Sequence, residues 1–526
     1  MSTGTPRPAR ARDFAILAAF ALGLGAPLVD LALRSSDARG PARELRSAAK
    51  LPSTPQSLEE AVAFPRQFDN WYEDHFGLRD VLLRTHNRAK WLGLGVSPTP
   101  KLVLGHSGWV FSSEGFALDD HRGAAPLSPG ALEAWRTMLE QRRDWLAQRG
   151  VHYVFAIAPY KSQVYNDELE PRFARLGPAR NQQLAEFMAG NSSVRIVDLE
   201  SAVRAARADD KGDDLTYFPY GTHWTDRGAY AGYVELVSAL AERFPELTPL
   251  PREAFEVRDG PTQGDSWAGR VYLEGLLEQR NLEWRVRTPS ARYSGNFRED
   301  PQFVSDRADR AGPRALVYHD SFTLPMRPWL AEHFSHLVCD WTHTPIVQRI
   351  EAEKPDVLIQ IYNGYTLMQL TPHALREEDG GRRAARFDAS TQTLWRMEQG
   401  REETSLSVNE GAQLARPDGV LELTRESPAS LLFLPRLNYP PGANLLVACE
   451  LEGDEPGKLQ VLYCTRRLPR IDRRQYVETQ RLGGRERLVL EVPAADFVER
   501  MAIWLGPRKG RTRIHALEVR AVAPPH

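Results

Sequence analysis

The chain reads as an α/β layered domain with a mainly parallel sheet, followed by a C-terminal β-sandwich. Three observations predict this. Continuous apolar runs such as Tyr153–Ala158 and Ala315–Tyr318 suit strands buried on both faces. Segments of helical period alternate with these runs, which is the pattern of a layered α/β sheet. Beyond about residue 395 the texture changes to short apolar or alternating runs broken by Gly, Pro and Asn, as in antiparallel sandwiches.

The elements follow in order. Arg7, Arg10 and Arg12 precede an apolar run, Phe14–Val29, that continues to Leu33. Such a run just reaches the length that spans a bilayer, and the basic residues before it hold that end in the cytoplasm. No small-x-small cleavage site follows it cleanly, so residues 1–34 are read as an uncleaved signal anchor rather than a removed signal peptide. Residues 35–60, rich in Ser, Arg, Ala and Pro, read as a linker, and 61–395 as the first domain. Ser128-Pro129 opens a helix with a cap residue, proline in the first turn, and Leu132, Trp135, Leu139, Trp145 and Leu146 at helical spacing; Gly150 ends it. A helix over 180–189 precedes the strand Val194–Val197, and one over 345–353 precedes Val357–Ile359. In residues 396–526 the runs Val420–Leu423, Leu431–Leu434, Leu445–Ala448, Val461–Tyr463, Leu488–Leu490 and Ile503–Leu505 read as sandwich strands.

Composition narrows the function. A net charge of −2 argues against a nucleic-acid binder, which usually carries a strongly basic domain. Three cysteines without a Cys-x-x-Cys pair give no zinc or redox signature. Cys449 and Cys464 lie on neighbouring strands and could pair in an oxidising compartment, or all three cysteines are small buried hydrophobes.

The chemistry concentrates at two places. Tyr-Gly-Thr-His-Trp (220–224) delivers an imidazole, His223, just ahead of a helix start. Tyr-His-Asp-Ser-Phe (318–322) delivers a hydroxyl, Ser321, just after a buried strand. A serine at a strand end and a histidine from another loop are the minimum for acyl transfer, the imidazole taking the hydroxyl proton and later returning it. Functional groups gather at the carboxyl ends of strands in such sheets, and Lys161, Ser321 and Asn363 all lie just past strand ends. A second serine, Ser266 in Gly264-Asp265-Ser266-Trp267, follows a polar, turn-forming stretch and lacks the rigid strand end a nucleophile needs.

The order of these motifs resembles the alginate O-acetylation family, the AlgJ/AlgX group, whose SGNH-hydrolase-like domain carries its motifs in permuted order. The stretches Asp74–Arg79, Gly105–Phe111, Ala158–Tyr165 and Lys354–Ile359 resemble further elements of that group, so the likeness spans roughly residues 60 to 370. One departure stands out: the family pattern is Asp-x-His-Trp, and here Gly221 takes the place of the aspartate that orients the imidazole. Three readings follow. Asp213, Asp214 or Asp226 substitutes for it; a His–Ser dyad works without it; or the site is degenerate and the protein a non-catalytic polysaccharide-binding scaffold. Asn363 and the Ser321 amide are candidate oxyanion donors, although Asn363-Gly364 also suits a simple turn. Lys161 would position a substrate carboxylate or pair with a surface acid.

The resemblance implies an O-acetyltransferase on an exported polysaccharide, anchored in the inner membrane and facing the periplasm, or periplasmic if the signal is cleaved. It further implies a multi-spanning membrane acyltransferase as partner. The chemistry needs no cofactor or metal. The C-terminal sandwich would bind carbohydrate, and the basic segment Arg466–Arg474 between Tyr463 and Tyr476 would grip an anionic polymer or be a solvated loop. A carbohydrate esterase would use the same serine and histidine to remove acetyl groups.

Overall fold

A computed structural model describes residues 9–33 and 49–523, apart from 115–116, 261–264, 344, 370–377, 398–404, 410, 428, 439–442, 454–456, 466–470, 472–475, 482, 493–496 and 507–508. Most of the basic segment at 466–474 and of the linker before residue 49 therefore lies outside the described residues. At the N-terminus a helix runs Ala9–Leu33, and its stretch Arg12–Leu31 has a mean hydropathy of 2.0, long and apolar enough to cross a membrane.

The chain forms two compact units, one of Met1–His343 with Asp356–Pro372, the other of Thr344–Pro355 with His373–His526. The first is built on a seven-stranded sheet. From one edge its strands run Ile196–Asp198, His152–Ala158, Val357–Asn363, Arg314–His319, His336–Asp340, Gln302–Arg307 and Ala291–Tyr293. The first five are mutually parallel, and the last two join antiparallel. Strand alternation assigns each face. Val154, Ala156 and Ala158 point into a core shared with Tyr233, Leu236 and Val237 of the helix Asp226–Ala241. On the other face Phe155 meets Trp135 of the helix Pro129–Ala147, and buried Gln360 accepts hydrogen bonds from Arg142 and Tyr153, both at 2.6 Å. Gln360 apart, apolar residues thus dominate the middles of these central strands because both faces are covered. The cap expected of Ser128 is present: its Oγ accepts from Ala131 N at 3.1 Å.

The second unit holds two antiparallel sheets. One pairs Ala412–Ala415, Leu421–Arg425, Gly510–Val522, Asn444–Gly453 and Gly484–Val492 in that order, with Thr393–Arg396 also on Gly510–Val522. The other runs Ser407–Val408, Leu432–Phe433, Phe497–Trp504, Gly457–Thr465 and Tyr476–Arg481. Val447, Leu490 and Val519 of the first share one buried cluster with Leu432, Val461 and Ile503 of the second. The change of texture near residue 395 falls inside this unit, because the helix Glu378–Ala389 belongs to it. That helix buries Phe387 against Leu446, Ala448 and Val489, on the face of the larger sheet opposite the shared cluster. Cys339, Cys449 and Cys464 are free and buried, so the Cys449–Cys464 bridge does not form; burial pushes the Cys449 thiol up to about 12.

Phe387→Ala removes a fully buried ring and should lower the stability of the second unit by about 3–5 kcal/mol. Calorimetry should show its transition displaced and that of the first unit unmoved.

Candidate active site

The three central strands of the first unit are adjacent and parallel, with Ala158 opposite Asn363 and Ile361 opposite His319. Their carboxyl ends therefore finish side by side. Lys161, Ser321 and Asn363, each just past or at one of these ends, line a single pocket of about 260 Å³ together with His223, Asp265, Tyr160 and Arg270. The expected convergence at the strand ends is what the fold produces.

Ser321 is the first residue of a short 3-10 turn, Ser321–Met326. Asp320 fixes that turn. Its Oδ1 accepts from Phe322 N at 3.0 Å, and its Oδ2 accepts from Asn363 N at 2.6 Å and Thr366 Oγ1 at 2.8 Å. The Ser321 N–H, at the head of the turn, has no partner within it. His223 arrives from the loop before the helix Asp226–Ala241, and its Nε2 lies 2.7 Å from Ser321 Oγ. A second clamp holds the two loops together: Trp224 Nε1 donates to Phe322 O at 2.8 Å while the two rings pack edge to face. The His-Trp and Ser-Phe dipeptides thus lock pairwise.

The carboxylate against the imidazole is Asp265, which corrects the expectation for Asp213, Asp214 and Asp226. His223 Nδ1 lies 2.9 Å from Asp265 Oδ2. The same oxygen accepts from His223 N at 2.8 Å and, more closely still, from Thr222 N. Asp226 turns the other way, accepting from Trp284 N at 2.9 Å and Arg298 Nη2 at 3.0 Å. Asp214 pairs with Arg227 at 3.0 Å, and Asp213 lies 3.6 Å from Arg280. Each of the three is already matched to an arginine of its own neighbourhood. Asp265 comes from the turn weighed above for its serine, whose Oγ merely accepts from Ala268 N at 3.2 Å. Its signal in the sequence was indirect: the absence of an acid at 221 left room for another carboxylate to reach the ring, beside the dyad and degenerate readings.

The electrostatics follow from these bonds. Burial alone would lower the His223 pKa, but the adjacent Asp265 charge and its hydrogen bond outweigh that and raise it above 6.5. Burial likewise raises Asp265, yet the imidazole and the N–H donors hold it well below the usual carboxylate range. An ionised Asp265 takes the Nδ1 proton as its partner, which leaves Nε2 to accept the serine proton.

Lys161 has another duty than those expected from sequence, and Asn363 takes the turn role expected of it and not the oxyanion one. The Lys161 amine donates to Phe218 O at 3.0 Å, Pro219 O at 3.1 Å and, closer, Gly221 O, so its donors are spent on the histidine loop. Burial pushes it down to about 7 against the opposing pull of Asp265. Asn363 Nδ2 donates to Pro159 O at 3.0 Å and Ala158 O at 3.4 Å, and its Oδ1 accepts from Tyr365 N at 3.0 Å. Its amide ties two strand ends together instead of facing an oxyanion.

The loop that carries Asp265 has its own foundation. Trp267, Ala268, Val271, Leu273 and Leu277 form a buried cluster with Leu102 and Val110 of the hairpin Leu102–Leu104/Val110–Ser112. That hairpin contains the Gly-x-x-Gly-Trp-x-Phe stretch, and Val110 N donates to Pro219 O at 3.0 Å. The motif near residue 105 therefore supports both loops of the site, and its Phe111 also lines the pocket.

Lys161→Met removes the strut under the histidine loop and leaves buried carbonyls unpaired. It should destabilise the first unit by about 2–4 kcal/mol in urea unfolding, without removing any group in contact with Ser321.

Comparison with known proteins bears on the same region. Residues 102–281 match the family described as "SGNH hydrolase-like domain, acetyltransferase AlgX". The chain is similar to two proteins called "Probable alginate O-acetylase AlgJ". That of Pseudomonas putida is 31% identical over 170 residues, 32% of this chain and 41% of the relative. That of Pseudomonas aeruginosa is 27% identical over 165 residues, 31% of this chain and 38% of the relative. The chain thus matches about two fifths of the length of these relatives. Among solved structures, Pseudomonas aeruginosa AlgX is similar at 14% identity and a TM-score of 0.37, over 84% of this chain and 98% of that one. By these matches the chain is similar to the AlgJ/AlgX-like family, and the family match at 102–281 takes in His223 and Asp265.

Proposed function

We propose that this chain is a polysaccharide O-acetyltransferase that works through an acetyl-serine at Ser321. The observation that carries the reading is the continuous relay from Asp265 through His223 to Ser321, at 2.9 and 2.7 Å, opening on a pocket at the strand ends. Ser321 Oγ attacks the carbonyl carbon of an acyl ester while its proton passes to His223 Nε2. The tetrahedral adduct collapses, the donor's alcohol leaves with that proton, and acetyl-serine remains. An acceptor sugar hydroxyl then gives its proton to Nε2 and attacks the acetyl carbon, and Ser321 departs protonated. Asp265 stays ionised throughout and stabilises the imidazolium that forms twice. The Ser321 N–H is available to the oxyanion; Asn363, occupied with backbone carbonyls, is not assigned that role.

Transfer rather than hydrolysis is favoured by the relatives, whose names give alginate as the acylated polymer. With Asp265 against the ring, Gly221 no longer argues for a non-catalytic scaffold. The apolar N-terminal helix would anchor the chain with its catalytic unit on the periplasmic face, where a multi-spanning acyltransferase would deliver acetyl groups. The second unit would hold the acceptor polymer as a carbohydrate-binding module.

The test is time-resolved release of p-nitrophenol from p-nitrophenyl acetate, with oligosaccharide acceptors assayed in parallel. Ser321→Ala and His223→Ala should each lose about 10³-fold or more, and acetyl should appear on the sugar only with wild type. Because the base must be neutral and its pKa is raised, the rate should climb with pH along a limb centred above 6.5. Full activity in Ser321→Ala would reject the mechanism, and release without sugar acetylation would make the protein an esterase.

A further inference from the structure

Gly221 differs from the other glycines of the first unit in what surrounds it. A Cβ built there would lie 2.2 Å from Asp265 O, 2.7 Å from Asp265 Oδ2 and 2.9 Å from the Asp265 carbonyl carbon. All three atoms belong to the residue that orients His223. The obstruction includes backbone, and that backbone is held: Gln279 Nε2 donates to Asp265 O at 2.5 Å, while Gln279 Oε1 accepts from Tyr220 N at 2.9 Å. Trp267 N donates to Tyr220 O at 2.8 Å, and Trp267 Nε1 to Thr222 Oγ1 at 3.2 Å. Three of these hydrogen bonds fasten the two loops flank to flank around the point where position 221 meets Asp265, and the fourth, Gln279 to Asp265 O, braces the Asp265 backbone from within its own segment. Gly221 is absent from the positions with left-handed backbone, so its conformation suits any residue. Space, not backbone freedom, demands glycine here.

We infer that Gly221 is a positioning residue whose bare backbone is the berth of the Asp265 carboxylate, so that position 221 acts on catalysis only through position 265. On this view the acid of the site has not been lost from the His-Trp motif but is supplied across the loop–loop contact, and the vacancy at 221 is the condition for that supply. The inference rests on the function proposed above and goes beyond it, because it assigns a role to a residue with no side chain and couples it to one partner. A methyl group at 221 must push the Asp265 loop away. The carboxylate would then leave His223 Nδ1 although every titrating group is still present.

A double-mutant cycle tests this on the full-length chain. Asp265→Ala should lower kcat by about 10²–10⁴-fold, and Gly221→Ala by at least about 10-fold with KM little changed. Gly221→Ala/Asp265→Ala should fall within about 3-fold of Asp265→Ala, since the backbone that the methyl displaces then no longer carries the carboxylate that orients His223. The acidic limb of the pH–rate profile should move to lower pH in all three variants, a shift that a smaller folded fraction would not produce. Independent losses that multiply in the double variant, or Gly221→Ala with wild-type kcat and an unmoved limb, would overturn the inference. An NMR titration of the His223 imidazole separates it from the mechanism. If the wild type transfers no acetyl, the catalytic reading fails, yet the His223 pKa must still drop equally in Gly221→Ala and Asp265→Ala for the coupling to stand.

Discussion

One carboxylate oxygen organises the site. Asp265 Oδ2 collects the N–H groups of Thr222 and His223 as well as the His223 ring, so a single atom sets the loop's backbone and the imidazole's tautomer together. A charge accepting several N–H donors in a partly buried site is a strong anchor, and it carries the proton preference with it. Everything downstream depends on this: Nε2 faces Ser321 only because Nδ1 is committed, and the serine loop is located by Trp224 one residue further on. The acid is therefore as much a structural cap of the histidine loop as an electrostatic partner.

The rest of the first unit brings rigid supports to that point. The serine stands on the central strand Arg314–His319, with Asp320 bonded across to Asn363 of the adjacent strand. The histidine loop rests on the Lys161 amine, and the Asp265 loop on an apolar cluster with the hairpin at 102–112. Buried polar groups here are largely satisfied by backbone partners, which makes them struts. Lys161 and Asn363 illustrate the division of labour: both line the pocket, and both spend their hydrogen bonds on holding its walls.

Much of this was legible from sequence. The apolar run 153–158 and the helix after Ser128-Pro129 declared themselves because period and capping are local properties. His223 and Ser321 were found because the chemistry demands a base and a hydroxyl at element ends, and the motif order supplied their pairing. Asp265 was not found, since its reach to His223 joins segments far apart in the chain, and no local pattern encodes such a contact. For the same reason Asp213, Asp214 and Asp226 looked eligible by proximity in sequence, while their arginine partners, especially Arg298 for Asp226, come from elsewhere. Lys161 misled differently: exposure cannot be read from a lone lysine, and its burial under the histidine loop converts a candidate ligand into a brace. The helix Glu378–Ala389 fell on the far side of the compositional boundary because composition reports texture, whereas Phe387 reports what packs on what.

The separation of base and acid along the chain has a consequence for how the site comes into being. An acid two residues before the histidine would be in place as soon as that one turn formed. Here the pair exists only after a closed loop of some forty residues has docked, and the entropy of that closure rises with the logarithm of its length. Orientation of the imidazole is thus a non-local property of the fold, conditional on the docking of the Trp267–Leu277 cluster. The nascent chain carries a histidine and later a serine, but no oriented base until that segment settles, so proton-transfer competence is itself a report that the two loops have joined.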